Sequence, residues 1–530
     1  MQKRGFVSGS VGLLTVVLVA LVPAVTSISV SGSAEPTARL ADSAGLPTAS
    51  PGIDLGSTRT QIVSFLVQLR SAAQPTCLEA WSRSEGLTVQ WSDGQQWASV
   101  HGAVQAVDRS FGVSIHDYRT PAGTVVYATT GNAGIPSGTC GEVAGVGAIH
   151  SAVAPNTLDV PGNALTPSQL MTTYDAAPLK ALDIHGQGQT VVFFEGDGFN
   201  PSDLSKFARS QNLPPFNVEV VGGNSGKGVE TPMDLETVHE IAPSAKLVDI
   251  NLAGKPFAKM SDGAALASAF ALADQRWRGA LMSISLGYCE SGGDFTQSDL
   301  ESMDAAVAVA EKNGSTVFAS SGDAGGLDCT PYDSAGKPPQ SSFVGVVEPA
   351  ALPEVTGVGG TALSTTSNGT WVGEHAWSEP LLSLGSGGGV SQLFKQPPWQ
   401  TGTGTGGQSN PNNARQVPDV AADADPATGN LIYSGGSYGA GGGTSVATPM
   451  WAGFTALIDQ YLVAQHRPPV GFFNPLLYGL ANSAPHHAPF HDVTLGGNAL
   501  YPATPGYDMV TGLGSPDVWN MAQDLAAGGQ

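Results

Sequence analysis

The stretch from residue 246 to residue 287, KLVDINLAGKPFAKMSDGAALASAFALADQRWRGALMSISLG, decides the fold. It opens on a short β-rich run, KLVDINL (246–252), passes through the helical segment DGAALASAFALADQRWRG (262–279) and returns to LMSISLG (281–287). Short runs that are apolar on both faces, alternating with helices, imply a parallel sheet covered by helices on each side. The alternation continues outward. TVVFFEGDG (190–198) lies ahead of it, and DLESMDAAVAVAEKNG (299–314) and STVFASSGD (315–323) follow. The reading is a doubly wound α/β domain. In such sheets the ligand site lies beyond the carboxyl ends of the strands. Those ends carry Glu195, Gly287 and Asp323.

Residues from about 55 to 150 read differently. GLTVQWS (86–92) and GTVVYATT (123–130) look like strands, and SVHGAVQAVDRSFG (99–112) looks like a helix, which makes a small α+β unit. The Pro/Asn/Gly-rich passage VAPNTLDVPGNALTPSQL (153–170) reads as an exposed linker, the kind of segment where nicking concentrates. From about 384 to 444 the chain is rich in Gly, Ser and Asn with little periodicity, and long surface loops are expected there. No repeat of solenoid period is visible.

Composition narrows the partners. The 530 residues are 41% hydrophobic, enough for a large core, and 44 acidic against 22 basic residues give a net charge of −22. That balance argues against nucleic acid or an anionic membrane as a partner and suits an acidic medium. At the N-terminus Lys3 and Arg4 precede an apolar run from Val11 to Val25 and a small-residue stretch, the layout of a secretory signal peptide. A secreted, extracellular protein without a membrane anchor after signal removal is expected. Four cysteines, Cys77, Cys140, Cys289 and Cys329, allow three pairings and match no zinc pattern. Cys289 and Cys329 follow two β-runs expected to be neighbours, so they and the early pair Cys77–Cys140 are the expected bridges.

The stretch GGGTSVATPMWAGF (441–454) places Ser445 at a tight turn into a buried helix. Free backbone N–H groups at such a start can stabilise an oxyanion, so this serine can attack a carbonyl if a base is near. Histidine is the usual base. His185 sits in a turn before a strand, and no His-Gly-Thr-His motif occurs. His239 in LETVHEIAP invites a zinc reading, but the required second histidine four residues on is Pro243. It reads as a helix-surface or packed histidine. The same helix, in GVETPMDLETVHEIAPSAKL (228–247), offers Glu230 and Asp234 four residues apart on one face. Two half-buried carboxyls this close titrate as a pair sharing a proton, and Glu230 could take the proton of Ser445 while Asp234 tunes it. The alternative is ordinary acidic decoration of a helix start.

These segments resemble the sedolisin family of serine-carboxyl peptidases. Glu230, Asp234 and Glu236 ahead of IAP match one family pattern, ASSGDAG (319–325) matches a second with Asp323 in place, and GTSVATP (443–449) matches a third with Ser445 in place. GQGQTVVFFEGDG, TGVGGTAL, GGGVS and VPDVAADADPATG resemble further segments in the right order, and FGVSIHDYRTPAGTVVYAT (111–129) resembles the inhibitory prosegment. The resemblance spans roughly residues 55 to 520. It implies a subtilisin-like doubly wound parallel sheet preceded by a small α+β, ferredoxin-like prodomain. The expected division is a signal peptide (1–34), prosegment and activation linker (35–160) and peptidase domain (161–530).

The resemblance further implies Ser445 as nucleophile, Glu230 as base assisted by Asp234, and Asp323 protonated in the oxyanion hole beside the Ser445 N–H. Acid action at roughly pH 3 to 5 follows from carboxyls in these roles. Kumamolisin-like members extend the network through Glu195 to a tryptophan, but Leu286 stands at that place, so Glu195 is a modulator or merely a strand-end carboxyl. In FHDVTLGGNALYPATPGYDMVTGLGSP (490–516), two carboxylates among turns suit Ca²⁺, though an Asp-rich turn explains them equally. The resemblance implies one structural Ca²⁺ held by the side chains of Asp492 and Asp508 and the carbonyls of Val493, Thr504 and Gly506. The expected partners are protein or peptide substrates and the chain's own prosegment, with the enzyme a monomer. A tripeptidyl-peptidase of the same family and a silent binding protein on this scaffold are the alternatives.

Overall fold

The computed structural model describes residues 53–528 apart from 72, 92–96, 120–124, 130–132, 148, 150–163, 291–294, 330–343, 380–383, 406–409, 411, 484–485 and 499. The expected signal peptide and the heart of the expected linker therefore lie outside the described residues.

The early unit has strands β1 (Ile53–Ser57), β2 (Ile62–Leu69), β3 (Thr88–Gln90), β4 (Trp97–Ala103), β5 (Ile115–Arg119), β6 (Val125–Thr129) and β7 (Val143–Val146), with helices α1 (Thr76–Ser84) and α2 (Val104–Phe111). Its main sheet runs β3-β4-β2-β7 with every pairing antiparallel. Strand, helix, two strands, helix, strand in that order is the split βαβ arrangement of a ferredoxin-like fold. A second sheet, β1-β5-β6, lies beside it. Phe65, Leu78, Val107 and Phe111 belong to a core drawn from residues 63 to 149. One expectation is corrected here: SVHGAVQAVDRSFG is helical only from Val104. Its first residues alternate in β4, where Val100 pairs with Phe65 and His101 with Ser64.

Beyond residue 163 come α3 (Pro167–Thr173), α4 (Ala177–Ala181), β8 (Thr190–Glu195), α5 (Pro201–Ser210), β9 (Val218–Val221), α6 (Glu230–Ile241), β10 (Lys246–Asn251), α7 (Asp262–Arg276), β11 (Leu281–Ile284), β12 (Tyr288–Cys289), α8 (Gln297–Lys312), β13 (Thr316–Ser320), β14 (Val347–Glu348), β15 (Thr356–Thr365) and β16 (Trp371–Ala376). Among the described residues an eight-stranded sheet runs β16-β15-β13-β11-β8-β10-β9, and β21 (Val420–Asp423) also pairs with β15. Its pairings are parallel except β15 with β16. The chain winds from β8 outward to β9 and back to β10, then crosses to β11 on the other side of β8. The switch point thus falls between β8 and β11, where ligand sites of such sheets form.

Two apolar cores flank the sheet. One holds α6 and α9 (Thr444–Ala464) against Val191, Phe193 and Leu247, and the other holds α7 and α8 against Val192, Phe194 and Val248. Strand alternation sends neighbouring residues to opposite sides. Cys289–Cys329 and Cys77–Cys140 are bridged, with Cα separations of 4.7 and 5.9 Å. The first bridge joins segments following β11 and β13, which pair in parallel as expected.

The stretch from 384 to 444 is not a set of surface loops. It contains β18 (Leu384–Gly385), which pairs with β17 (Ser378–Glu379) just before it, then β19 (Gly389–Lys395) with β20 (Ala414–Val417), and the hairpin β22 (Leu431–Ser434) and β23 (Ser437–Ala440). Among its described residues Gln400, Asn410, Arg415, Gln416 and Asp419 are buried and bond to one another or to nearby backbone. Gln400 donates to the Gln416 carbonyl at 2.7 Å, Asn410 to the Ala414 carbonyl at 2.7 Å, and Arg415 to Asp419 Oδ1 at 2.7 Å. A polar interior carries no apolar periodicity, which is why the sequence hides it.

Candidate active site

Four elements bring the expected residues together. The α9 helix starts at Thr444, so Ser445 occupies its second position and its N–H has no acceptor within the helix. Gly443 precedes it with φ +90°, and a Cβ there would come within 2.7 Å of Asp323 Oδ2, so only glycine lets the helix start approach that carboxyl. Asp323 follows β13. Its Oδ1 accepts the Thr444 N–H at 2.7 Å and the Thr444 hydroxyl at 2.9 Å, which leaves Oδ2 for a proton. Burial pushes the Asp323 carboxyl above the usual range, and the Thr444 bonds partly offset this.

Glu230 and Asp234 lie on the first turns of α6, a helix whose every residue is buried. The expectation of a half-buried pair is exceeded. Burial first, and the Asp234 charge second, hold Glu230 well above its ordinary pKa, while the neighbouring Ser445 hydroxyl favours its ionised form. Neither Glu230 oxygen has a hydrogen-bond partner, because the Ser445 hydroxyl is turned 3.4 Å from the Ser285 carbonyl. Asp234 is likewise raised by burial, offset by hydrogen bonds from Ser285 and Glu195. The Ser285 hydroxyl lies 2.7 Å from Asp234 Oδ2 and 3.0 Å from the Ser445 carbonyl, tying α6 to α9.

Two polar residues beside the candidate site, Ser285 and Asp197, are not singled out by the sequence, whereas Glu195 is expected there as a modulator or a strand-end carboxyl. Ser285, just past the end of β11, sits inside an apolar run that reads only as strand. Asp197 accepts the Val229 N–H at 2.8 Å and the Thr231 N–H at 3.0 Å, which caps α6 from outside its own sequence. Glu195 is fully buried at the end of β8, and its Oε2 accepts the Thr231 hydroxyl at 3.4 Å. Its place at a strand end and the family resemblance are the signals that point there. Leu286 is buried in the apolar core on the α7 and α8 side of the sheet.

His239 lies near the C-terminal end of α6, away from Glu230 and Asp234 on its first turns. It is buried, its Nε2 lies 2.7 Å from the Pro214 carbonyl, and its ring packs on Phe216 with centroids 3.9 Å apart. Of the two readings for it, packing is what the structure shows.

The residues expected to hold calcium also converge. Asp508 Oδ2 accepts the Thr504 N–H at 2.9 Å, its Oδ1 accepts the Thr511 N–H at 2.8 Å, and Asp492 Oδ2 accepts the Gly506 N–H at 3.0 Å. Val493, beside Asp492, is buried. Burial lifts Asp492 to about 6 and Asp508 to about 7, and the Asp492 charge adds to the rise at Asp508. Among the described residues no three His, Cys, Asp or Glu side chains cluster to hold a metal. A cation here would therefore rest on two carboxylates and backbone carbonyls, an all-oxygen set that fits Ca²⁺ and not zinc.

Among the described residues no helix is long and apolar enough to cross a membrane. Residues 219–467 match the model of the subtilase family. Kumamolisin from Bacillus sp. (strain MN-32) is 33% identical over 353 residues, 63% of this chain and 59% of that protein. Sedolisin from Pseudomonas sp. (strain 101) is 30% identical over 381 residues, 68% and 61% respectively. Tripeptidyl-peptidase 1 from Dictyostelium discoideum is 27% identical over 358 residues, 63% and 53%. The chain thus spans about three fifths of the length of the first two relatives. The solved structure of Pseudomonas sedolisin, a serine-carboxyl proteinase in complex with pseudo-iodotyrostatin, is 28% identical, covers 70% of this chain and all of its own, and superposes with a TM-score of 0.58. With this likeness and the doubly wound sheet, the chain belongs to the sedolisin family of serine-carboxyl peptidases, on a subtilisin-like α/β fold.

Proposed function

We propose that this chain is the precursor of a secreted endopeptidase that works in acid, with Ser445 as nucleophile, Glu230 as general base assisted by Asp234, and Asp323 in the oxyanion hole. One observation carries the reading: a serine at a helix start faces a buried pair of carboxyls, and the helix's histidine is packed elsewhere. Glu230 takes the Ser445 Oγ proton as the serine attacks the scissile carbonyl carbon. The Ser445 N–H and the protonated Asp323 donate to the oxyanion. Glu230 then returns the proton to the leaving amine, and water releases the acyl group by the same steps. The prosegment would block this site until the linker is cut. Protein or peptide substrates and a monomeric, extracellular enzyme complete the proposal.

The second reading is a tripeptidyl-peptidase, favoured by the likeness to tripeptidyl-peptidase 1. Digestion of an intact protein at acid pH, with mass spectrometry of the products, decides between them. Internal cuts support the endopeptidase, and successive losses of three residues from the N-terminus contradict it. Products absent at every pH would leave only the silent scaffold.

The pH dependence follows from two groups with opposite needs. Asp323 must be protonated, so activity falls as pH rises through its pKa. Glu230 must accept a proton, so activity falls as pH drops through the pKa of the Glu230–Asp234 pair. Burial raises both. The maximum is therefore expected in or just above the range of roughly pH 3 to 5 set by ordinary carboxyls, and below neutrality. A maximum at alkaline pH would refute the carboxyl mechanism. Asp323→Ala removes the donor and should lower kcat by about 10²–10³-fold in a folded enzyme. Full activity in that variant would remove Asp323 from the oxyanion hole.

Where Ca²⁺ is bound, it would be held by Asp492, Asp508 and the carbonyls of Val493, Thr504 and Gly506, and would supply stability, not chemistry. A ligand of the folded state alone raises the melting temperature. Chelation, or Asp508→Ala, should lower it. An unchanged melting temperature together with no calcium by elemental analysis would eliminate the site.

A further inference from the structure

Glu230, Asp234 and Thr237 follow one another along α6 at i, i+4 and i+7, a spacing that stacks them on a single face. Each has a different neighbour. Glu230 has the Ser445 hydroxyl beside it. Asp234 accepts the Ser285 hydroxyl, which also reaches the Ser445 carbonyl. Thr237 meets Asn430, a residue that the catalytic proposal does not use.

Asn430 is fully buried just ahead of β22. Its Nδ2 donates to Thr237 Oγ1 and to Glu240 Oε1, each at 2.8 Å. Its carbonyl accepts the N–H of Gly441, four residues before Ser445, at 2.8 Å. One residue thus holds α6 with its side chain and the lead-in to the nucleophile with its backbone. The fit is close, since a Cβ on Gly441 would come within 2.8 Å of Asn430 Oδ1. The backbone on either side of Asn430 is fixed as well. Leu165 donates its N–H to the Gly429 carbonyl at 2.9 Å and accepts the Leu431 N–H at 2.8 Å. Farther on, the Tyr433 N–H donates to Glu236 Oε2 at 2.7 Å, and the Ser434 hydroxyl donates to the Gly228 carbonyl at 3.0 Å. The strand β22 is therefore fastened along α6, and its hairpin partner β23 runs straight on to Ser445.

Apolar packing is non-directional, so the burial of α6 does not by itself fix how the helix slides or turns against α9. Two directional struts do so, Ser285 at Asp234 and Asn430 at Thr237. We propose that Asn430 is a positioning residue that fixes α6 against the segment leading to Ser445, and so sets the separation of Glu230 from the nucleophile. This rests on the serine-carboxyl reading above. Asn430 acts through the helix and not on the reacting atoms. A misplacement of about 1 Å at a reacting group costs on the order of 10²-fold in rate.

Asn430→Leu nearly keeps the volume of the side chain and removes both donated bonds. The test is kcat and KM at the acid optimum for the activated enzyme, for Asn430→Leu, for Glu230→Gln and for the double variant, with thermal melts alongside. Asn430→Leu should lower kcat by about 10–10²-fold and change KM by less than about threefold. In the Glu230→Gln background it should cost nothing further, because the position of a group that cannot accept a proton no longer matters. An unchanged kcat in a folded variant, a loss confined to KM, or an equal loss in both backgrounds overturns the proposal. A merely structural role lowers the melting temperature and costs the same in both backgrounds. Thr237→Val, which removes one of the two bonds at constant shape, serves in the same cycle if Asn430→Leu does not fold. An active, folded Glu230→Gln overturns the base and this proposal with it, whereas equal losses in both backgrounds overturn only the proposal. Crystal structures of the full chain and of Asn430→Leu need no turnover. The separation of the Glu230 carboxyl from Ser445 Oγ should differ between them by about 0.5 Å or more, and an unchanged separation contradicts the proposal even if the peptidase reading itself fails.

Discussion

Ser445→Ala is expected to lower turnover by about 10⁶-fold, the scale seen when a catalytic serine acting with its base is removed. No neighbour can replace it. The adjacent Thr444 hydroxyl is held by Asp323 Oδ1 at 2.9 Å and the Gly322 carbonyl at 3.1 Å, and so is not free to attack. The variant should fold, because the Ser445 hydroxyl gives up a 3.4 Å contact to the Ser285 carbonyl and its approach to Glu230, weak bonds of about 1 kcal/mol each. If the linker around residues 150 to 165 is cut by the enzyme itself, the variant should also persist at full length after acidification. Turnover of a denatured protein at acid pH and the mass of the chain are the two readouts. Normal processing in a protease-free preparation would refute self-cleavage, and near-normal turnover would refute the nucleophile.

The alternation of β-runs and helices was legible because both faces of β8, β10, β11 and β13 are buried, and burial on two sides leaves continuous apolar runs. Glu230 and Asp234 were legible as a pair because helical spacing is local. The depth of their burial was not, because it depends on α9 and on β22 packing over α6. Ser285 was invisible for a related reason: a single polar residue in an apolar run looks like noise until its neighbours are known. The region from 384 to 444 misled in the opposite direction. Its glycines and amides suggested solvent, yet Asn410, Arg415, Gln416 and Asp419 are buried, and their hydrogen bonds close only in three dimensions. His101, read as part of a helix, lies instead between Ser64 and Ser99 at 2.6 and 2.9 Å, as residues on paired strands do.

Glu230→Gln is expected to cost about 10²–10⁴-fold in turnover, the usual worth of a general base. The amide keeps the shape of the side chain but cannot accept the serine proton. It should not unfold the protein. Glu230 is buried with no partner for either oxygen, and its carboxyl is held above the ordinary range by that burial. A neutral amide in its place removes the cost of charging the site. Asp234→Asn should be damaging as well, because it removes one carboxyl of a pair that shares a proton and weakens the bond from Glu195. His239→Ala removes a ring packed on Phe216 and bonded to the Pro214 carbonyl, so its effect belongs to stability. The most direct test is therefore kcat/KM at the acid optimum for Glu230→Gln beside His239→Ala, each confirmed as folded. A carboxyl base predicts a large loss in Glu230→Gln and near wild-type turnover in His239→Ala; an inactive, folded His239→Ala beside an active Glu230→Gln would contradict it.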